Sequence, residues 1–305
     1  MVYNKDENII LKGKGVYSMK NLNYKDMEIC SLNVAGWKWR ASNLKWEARL
    51  SEICKYIKSE MNNPLVIALQ EVQIANGKSQ AVLEDHFPDY HIVLPEAYDN
   101  KQSRSIVSVL LINKNLCESY YNVRTLKGLE DSLRYNFVDI DTYVKGLSFR
   151  VLNVHIPHNC QEGNTAAACY IDAREDLRSL FIQNISALSD TYRSEPDLKF
   201  IVLGDFNASP KDSFIESLAY SYDSPMLDAV KKCDRDIATW IDFTTGTKNR
   251  LDYLMYSRGM LCNTGVTAKF TITDNYTTLN RLSDHAILVG GISVDLPKCW
   301  EESDK

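Results

Sequence analysis

A set of polar residues stands where apolar runs of this sequence end or are interrupted. Asn33 comes late in ICSLNV, Glu71 follows VIALQ, His155 follows FRVLNV, and Asp205 and Asn207 follow FIVLG. Asp252 sits inside RLDYLMY, and Asp284 and His285 immediately precede AILVGG. Each has an ordinary reading by itself: Gly-Asp-x-Asn is a good turn sequence, Glu71 could open a solvated loop, and His155 could be a core histidine with a satisfied ring. As a set they are better explained by one another, because an ionised carboxylate in an apolar strand is expensive unless it is paired or coordinates a cation.

Such a set has a definite chemistry. Mg²⁺ takes one or two carboxylates together with waters and substrate phosphate oxygens, and Glu71 and Asp284 can supply the carboxylates. Mn²⁺ would accept the same oxygen donors. Hydrolysis of a phosphate ester also needs a water aligned opposite the leaving oxygen and stabilisation of charge on the phosphoryl oxygens. Asp205 can orient that water, and the neutral Asn207 can hold a phosphate oxygen through its NH₂ group without repelling it. His285 with Asp252 forms an acid–histidine arrangement, which fixes a tautomer and raises basicity.

These side chains need rigid elements to hold them. Strand-like runs recur at 27–34, 64–70, 90–94, 105–112, 134–141, 147–154, 199–203, 251–256 and 285–292. Two stretches carry helical periodicity: Trp46, Leu50, Ile53 and Ile57, and then Leu177, Phe181, Ile185 and Leu188, after an Asp172 that could start the helix. Many strands and few helices, with several strands apolar on both faces, predict an α/β fold in four layers: two packed mixed β-sheets flanked by helices. A doubly wound parallel sheet would need a helix after nearly every strand, and 90–154 shows none.

One large domain over 27–296 is expected, with a polar N-terminal arm at 1–26 and a tail at 297–305. The formal net charge of −5 argues against the uniformly basic surface of a protein that coats nucleic acid, yet allows an enzyme that visits a phosphate-containing substrate. The eight cysteines show no CxxC and no metal-like spacing, so they read as reduced, small hydrophobes. No secretory signal is readable and no apolar run reaches membrane-spanning length, so a cytoplasmic location is expected.

With these residues assembled, the chain resembles the endonuclease/exonuclease/phosphatase superfamily, the DNase I-like phosphoesterases. The resemblance rests on SLNV with Asn33, ALQEV with Glu71, NVHIP with His155, LGDFN with Asp205 and Asn207, Thr239-Trp240 followed by NRLDYLMYS with Asp252, and LSDHAIL with Asp284 and His285. It implies a DNase I-like four-layer sandwich and a metal-dependent phosphoesterase. By position, Glu71 would be the principal Mg²⁺ ligand, with Asn33 and Asp284 close to the metal. Asp205 and Asn207 would orient water and bind phosphate, and Asp252 would support His285, which contacts the scissile phosphate. His155 matches a histidine suited to protonating the leaving oxygen. In DNase I-like members a glutamate before a central strand supports that histidine, whereas here NKQSRSIVSVLLIN offers Ser103 and Arg104, and Arg104 could contact phosphate.

The loops bear on the substrate. In GWKWRASNLKW, Trp37, Trp39 and Trp46 interleave with Lys38, Arg40 and Lys45, a composition suited to stacking bases while tracking a phosphate backbone. His158, in the loop after His155, could also touch substrate. The stretch 239–256 lacks the Trp-x-Asp-Arg run of phosphoinositide 5-phosphatases. The expectation is therefore a nuclease acting on DNA or RNA, with no protein partner predicted. The alternatives are a phosphatase or phospholipase-C-type enzyme on inositol phosphates or sphingomyelin, and, in another class, an inactive family fold used as a binding module.

Overall fold

The computed structural model of the protein describes residues 3–4, 9–12, 15–18, 27–36, 44–74, 77–98, 105–122, 126–130, 132–143, 147–157, 167–194, 198–230, 237–257, 267–270 and 282–292. Near the N-terminus, β1 (Tyr3–Asn4), β2 (Ile9–Lys12) and β3 (Gly15–Ser18) pair with each other in a small antiparallel sheet. There follow β4 (Met27–Asn33), α1 (Trp46–Glu60), β5 (Val66–Ile74), α2 (Lys78–His86), β6 (Tyr90–Val93), β7 (Ser105–Asn113), β8 (Cys117–Asn122), β9 (Tyr135–Thr142) and β10 (Ser148–His155). Next come α3 (Ala167–Ser194), β11 (Leu198–Asp205) and the single turn α4 (Ser213–Ile215), which continues as a π-turn over Glu216–Tyr220. The last elements are β12 (Met226–Asp228), β13 (Trp240–Ile241), β14 (Lys248–Asn249), β15 (Asp252–Ser257), β16 (Thr267–Phe270) and β17 (Ala286–Ile292).

Two six-stranded sheets form the body, one in the order β16-β17-β4-β5-β7-β6 and the other in the order β12-β15-β11-β10-β9-β8. Each is mixed: β4 and β5 run parallel in the first, β10 and β11 in the second, and their other pairings are antiparallel. Alternation along the strands distributes the apolar side chains. Ile29, Ala68 and Leu110 of the first sheet meet Val138, Val151, Ile201 and Leu254 of the second in a shared core. The opposite face of the first sheet, with Leu32, Ile67 and Leu69, is covered by Leu50, Ile53 and Ile57 of α1 and Leu83 of α2. The outer face of the second, with Leu152, Phe200, Val202 and Tyr253, is covered by Phe181 and Ile185 of α3 and by Phe214 and Ile215 of α4. These are the four layers expected, and burial of each such side chain contributes roughly 1.5–3 kcal/mol.

Amides tie the two sheets together. Gln70 Nε2 donates to Asn153 Oδ1 (2.7 Å), and Asn153 Nδ2 in turn donates to the carbonyls of Leu69 (3.0 Å) and Val109 (2.9 Å). All of these groups are buried, so a shift of one sheet over the other would leave several polar atoms unpaired. The helix expected to start at Asp172 begins at Ala167 instead, because the Ala-rich run before it favours helix and carries the element past that cap. The described side chains of Cys30, Cys54 and Cys117 are free thiols in buried positions. Among the described residues no helix is long and apolar enough to cross a membrane.

Candidate functional site

The site grows from the ends of the two parallel strand pairs. Asn33 at the end of β4 lies opposite Gln70 of β5, so the next residue, Glu71, reaches the same edge. Glu71 is not a loop residue but part of a β-bulge: the register of β5 against β7 shifts between Leu69 and Val72, and Glu71 has φ 56°. A bulge re-aims a side chain that regular alternation would place elsewhere. Gly36 packs backbone to backbone on this bulge, since a Cβ there would sit 1.8 Å from the Glu71 carbonyl oxygen. Asn33 Oδ1 accepts from Ala35 N (2.9 Å), which fixes the amide orientation.

The second pair repeats the arrangement. His155 of β10 is directly opposite Asp205 of β11. Gly204 precedes Asp205 with φ 140°, and any Cβ there would meet the Val154 carbonyl oxygen at 2.0 Å, so glycine is required by the close approach of the neighbouring strand. Asn207 turns back in a left-handed conformation (φ 47°); its backbone N donates to Asp205 Oδ1 (2.8 Å) and its Nδ2 to the Ile156 carbonyl (2.8 Å). The GDFN stretch is thus a turn and a side-chain presentation at once.

β15 and β17 complete the set. Asp252 is opposite Asp205 in the β11–β15 ladder, and its carboxylate Oδ2 lies 2.9 Å from His285 Nδ1. Thr239 Oγ1 accepts from the backbone N atoms of Leu251 and Asp252 (2.9 Å each) and so holds the start of β15. Ser283 Oγ donates to the Asn33 carbonyl (2.6 Å) and accepts from His285 N (3.1 Å), joining this segment to the end of β4. Trp240 Nε1 donates to Asp284 Oδ2 (3.1 Å).

The groups then meet across the sandwich. Asn33 Nδ2 donates to Asp205 Oδ2 (2.9 Å) and stands 3.4 Å from Glu71 Oε1. His155 Nε2 is 3.4 Å from Glu71 Oε1 and 3.9 Å from Asp205 Oδ2, while His285 Nε2 is 3.8 Å from the same Asp205 oxygen. Glu71, His155, Arg134, Ser108, Ile106, Val107 and Leu133 line a cleft of about 360 Å³. Trp37, Lys38, Arg40, Ser103, Arg104 and His158 lie outside the described residues.

Burial sets the electrostatics. Asp205 is 1% exposed, and desolvation pushes its carboxyl up to about 7, opposed by the charge of His285. Burial works against a charged His285, but Asp252 and Asp205 outweigh it and push the imidazole up to about 10. Their ligand atoms, with those of Asp252, lie within 4.8 Å of one another and form a candidate metal cluster. The Asp252–His285 hydrogen bond already gives that cluster a partner for its imidazole. A better fit for a hard cation is the oxygen-rich side: the Glu71 side chain is 23% exposed, and although Asp284 Oδ1 and Asp252 Oδ1 are both buried with no hydrogen-bond partner among the described residues, Asp284 is hydrogen-bonded to the neutral indole of Trp240 and Asp252 to the imidazole of His285.

Three arginines escaped the reading of the sequence. Arg134 Nη1 lies 3.2 Å from His155 Nδ1 and 3.5 Å from its Nε2, which sets the guanidinium against the imidazole. Nothing in its local sequence marks Arg134. Arg178 of α3 donates to the Asn207 carbonyl (3.3 Å) and pairs with Asp212 (3.1 Å). Arg49 of α1 is 3% exposed and donates to the carbonyls of Val34 (2.8 Å), Leu282 (2.7 Å) and Ala35 (2.7 Å). It follows Trp46 by three residues on the apolar stripe of Leu50 and Ile53, and a charge on a buried stripe was a readable signal.

The family model described as Endonuclease/Exonuclease/phosphatase family matches residues 21–285. No curated protein sequence matches the chain. Solved structures share its fold at low identity. A truncated TDP2 from Caenorhabditis elegans has a TM-score of 0.60 at 16% identity, covering 88% of this chain and 98% of that one. The human Nocturnin catalytic domain with a bound sulfate anion has a TM-score of 0.58 at 18% identity, covering 88% and 95%. The 3′ phosphatase NExo from Neisseria, bound to a product DNA hairpin, has a TM-score of 0.58 at 16% identity, covering 88% and 99%.

Proposed function

The chain belongs to the endonuclease/exonuclease/phosphatase family, whose members are hydrolases of phosphate esters, and from that premise we propose that it is a divalent-metal-dependent phosphodiesterase acting on DNA or RNA. The observation that carries the reading is the meeting of Asn33, Glu71, His155, Asp205 and His285 at one edge of the sandwich, each within 4 Å of another. Mg²⁺, or Mn²⁺ in its place, held by Glu71 and Asp284 with Asn33 beside them, would supply charge stabilisation at the phosphoryl oxygens.

The protein groups do the rest. Asp205, with a carboxyl near neutral pH, orients the attacking water and takes its proton as the water oxygen bonds to phosphorus. The imidazolium of His285, held by Asp252, donates from Nε2 to a non-bridging phosphate oxygen. Asn207 Nδ2 commits one proton to Ile156 and lies 3.4 Å from Asp205 Oδ2, so its second proton can turn to a second phosphate oxygen. His155, in the tautomer that carries its proton on Nε2, gives that proton to the leaving oxygen as the ester bond breaks.

The nucleic-acid assignment is supported by the Trp- and Lys/Arg-bearing segment after Asn33 and by the fold shared with a phosphatase bound to a DNA hairpin. Hydrolysis of bis-p-nitrophenyl phosphate with and without Mg²⁺, with Asp205→Ala as control, tests the chemistry. Metal-dependent turnover lost in the variant is expected, and its absence from the intact protein would overturn the enzyme reading in favour of a binding module. A panel of single- and double-stranded DNA, abasic DNA, RNA, inositol phosphates and sphingomyelin tests the substrate. Cleavage confined to the lipid and inositol phosphates would refute the nuclease assignment.

A further inference from the structure

We propose that Arg49, seated on Trp46 of the same helix, is the positioning residue for the metal-side carboxylates, holding the segments that carry Asn33, Glu71 and Asp284 in the arrangement that binds a divalent cation. The inference rests on the metal-dependent reading above and adds to it a residue that touches neither metal nor substrate.

The geometry is specific. One guanidinium nitrogen, Nη1, donates to Val34 O in the loop after β4 and to Leu282 O in the segment before Asp284, while Nη2 donates to Ala35 O. Two segments separated by more than two hundred residues are thereby tied to a single side chain. Ala35, one of the residues so held, has φ 46°, a conformation a non-glycine residue keeps only when its surroundings enforce it. Its own N–H fixes Asn33 Oδ1, and the adjoining Gly36 seats on the Glu71 bulge. The third segment is held from the same helix turn. Trp46 stacks 4.9 Å from the Arg49 guanidinium and donates through Nε1 to Gln73 O, two residues beyond Glu71 (2.9 Å), and to Ser79 Oγ (2.8 Å).

Arg49 donates to three carbonyls; burial pulls its guanidinium down to about 10, partly offset by the charges of Asp284 and Glu71, so it stays charged at neutral pH. Lysine cannot reproduce this: its ammonium has three donors but no planar fork to span carbonyls on two segments. The consequence is that charge alone will not restore the site.

The experiment measures Mn²⁺ binding by calorimetry to the full chain and to Arg49→Lys and Trp46→Phe, with thermal unfolding to establish that each variant is folded. Outer-shell partners of metal ligands set affinity by factors of about 10–100, so R49K is expected to bind Mn²⁺ at least about tenfold more weakly. W46F, which keeps the stack but loses the indole donor, is expected to show a smaller loss. At saturating Mn²⁺ both should recover a KM for bis-p-nitrophenyl phosphate close to that of the wild type. If R49K does not fold, W46F decides by the same readout. Mn²⁺ affinity within twofold of the wild type in the folded variants would overturn the positioning role and leave the metal reading intact. A wild-type chain that binds no Mn²⁺ would overturn both.

Discussion

The unit β4–α1–β5 and the unit β10–α3–β11 are built alike, and they differ where chemistry requires it. Each is a parallel strand pair with a helix in the connection, and each delivers two polar residues to one edge: Asn33 and Glu71 from the first, His155 and Asp205 from the second. In each, a buried arginine of the helix stacks 4.9 Å from an aromatic ring, Trp46 or Phe214, and donates to a loop carbonyl beyond a strand end. Arg178 also forms an ion pair with Asp212, whereas the bonds of Arg49 go to three carbonyls. Outside the units themselves, Asp284 Oδ1 and Asp252 Oδ1 are both buried with no hydrogen-bond partner among the described residues, but the other oxygen of Asp284 accepts from the neutral indole of Trp240, whereas that of Asp252 pairs with His285, whose Nε2 also faces Asp205. The first arrangement suits a cation and the second a water and a phosphate.

Breaking each side separately sharpens that division. The largest effect is expected from Asp205→Ala, with kcat falling by about 10²–10⁴-fold, the range for loss of a general base. Raising Mg²⁺ should not rescue it. Glu71→Gln is expected to lower Mn²⁺ affinity by at least about tenfold, and part of its lost activity should return at high metal concentration. If Mg²⁺ titrations rescued D205A as well, the two sides would not be distinct. Arg178→Lys should lower kcat by on the order of tenfold, the equivalent of one hydrogen bond to a charged group, without changing Mn²⁺ affinity. A loss of Mn²⁺ affinity in R178K would remove the contrast between the two arginines.

The pH dependence follows from the second side alone. Asp205 must be ionised to take a proton and is pushed up to about 7, so kcat should rise as pH passes 7; His285 must be charged and is pushed up to about 10, so kcat should fall beyond that. For stability the sign is fixed by the raised value of His285: its contribution is full below its ordinary 6.5 and lost as pH climbs through about 10. Asp252→Asn removes the partner, so the Tm difference from the wild type should be larger at pH 6.5 than at pH 10. This is the smallest of the effects. Thermal melts showing an equal gap at both pH values would contradict the assigned pairing.

Much of this was legible in the sequence because strand periodicity and strand-end polarity are local signals. The apolar runs 27–34, 105–112 and 199–203 became β4, β7 and β11 with shifts of one or two residues, and the last residues of β4 and β11, Asn33 and Asp205, entered the site. What escaped was of two kinds. The short edge strand β8 carries CESYYN, too polar to stand out, and α2 is a nine-residue helix with few apolar positions. The other kind is geometry set by distant chain segments. Glu71 read as a strand end, and only pairing with β7 makes it a bulge. Gly204 read as a bend, whereas the carbonyl of Val154 across the ladder is what excludes a side chain. Arg134 meets His155 through the β9–β10 pairing, which no local spacing encodes.

The division between the two sides is tested most directly by locating the cation. Anomalous diffraction from crystals of the full chain grown with Mn²⁺ should place the ion within about 2.0–2.2 Å of a Glu71 oxygen, with Asp284 bound directly or through one ordered water and the Asp252–His285 hydrogen bond intact. An ion bound instead among Asp205, Asp252 and His285 would contradict the account.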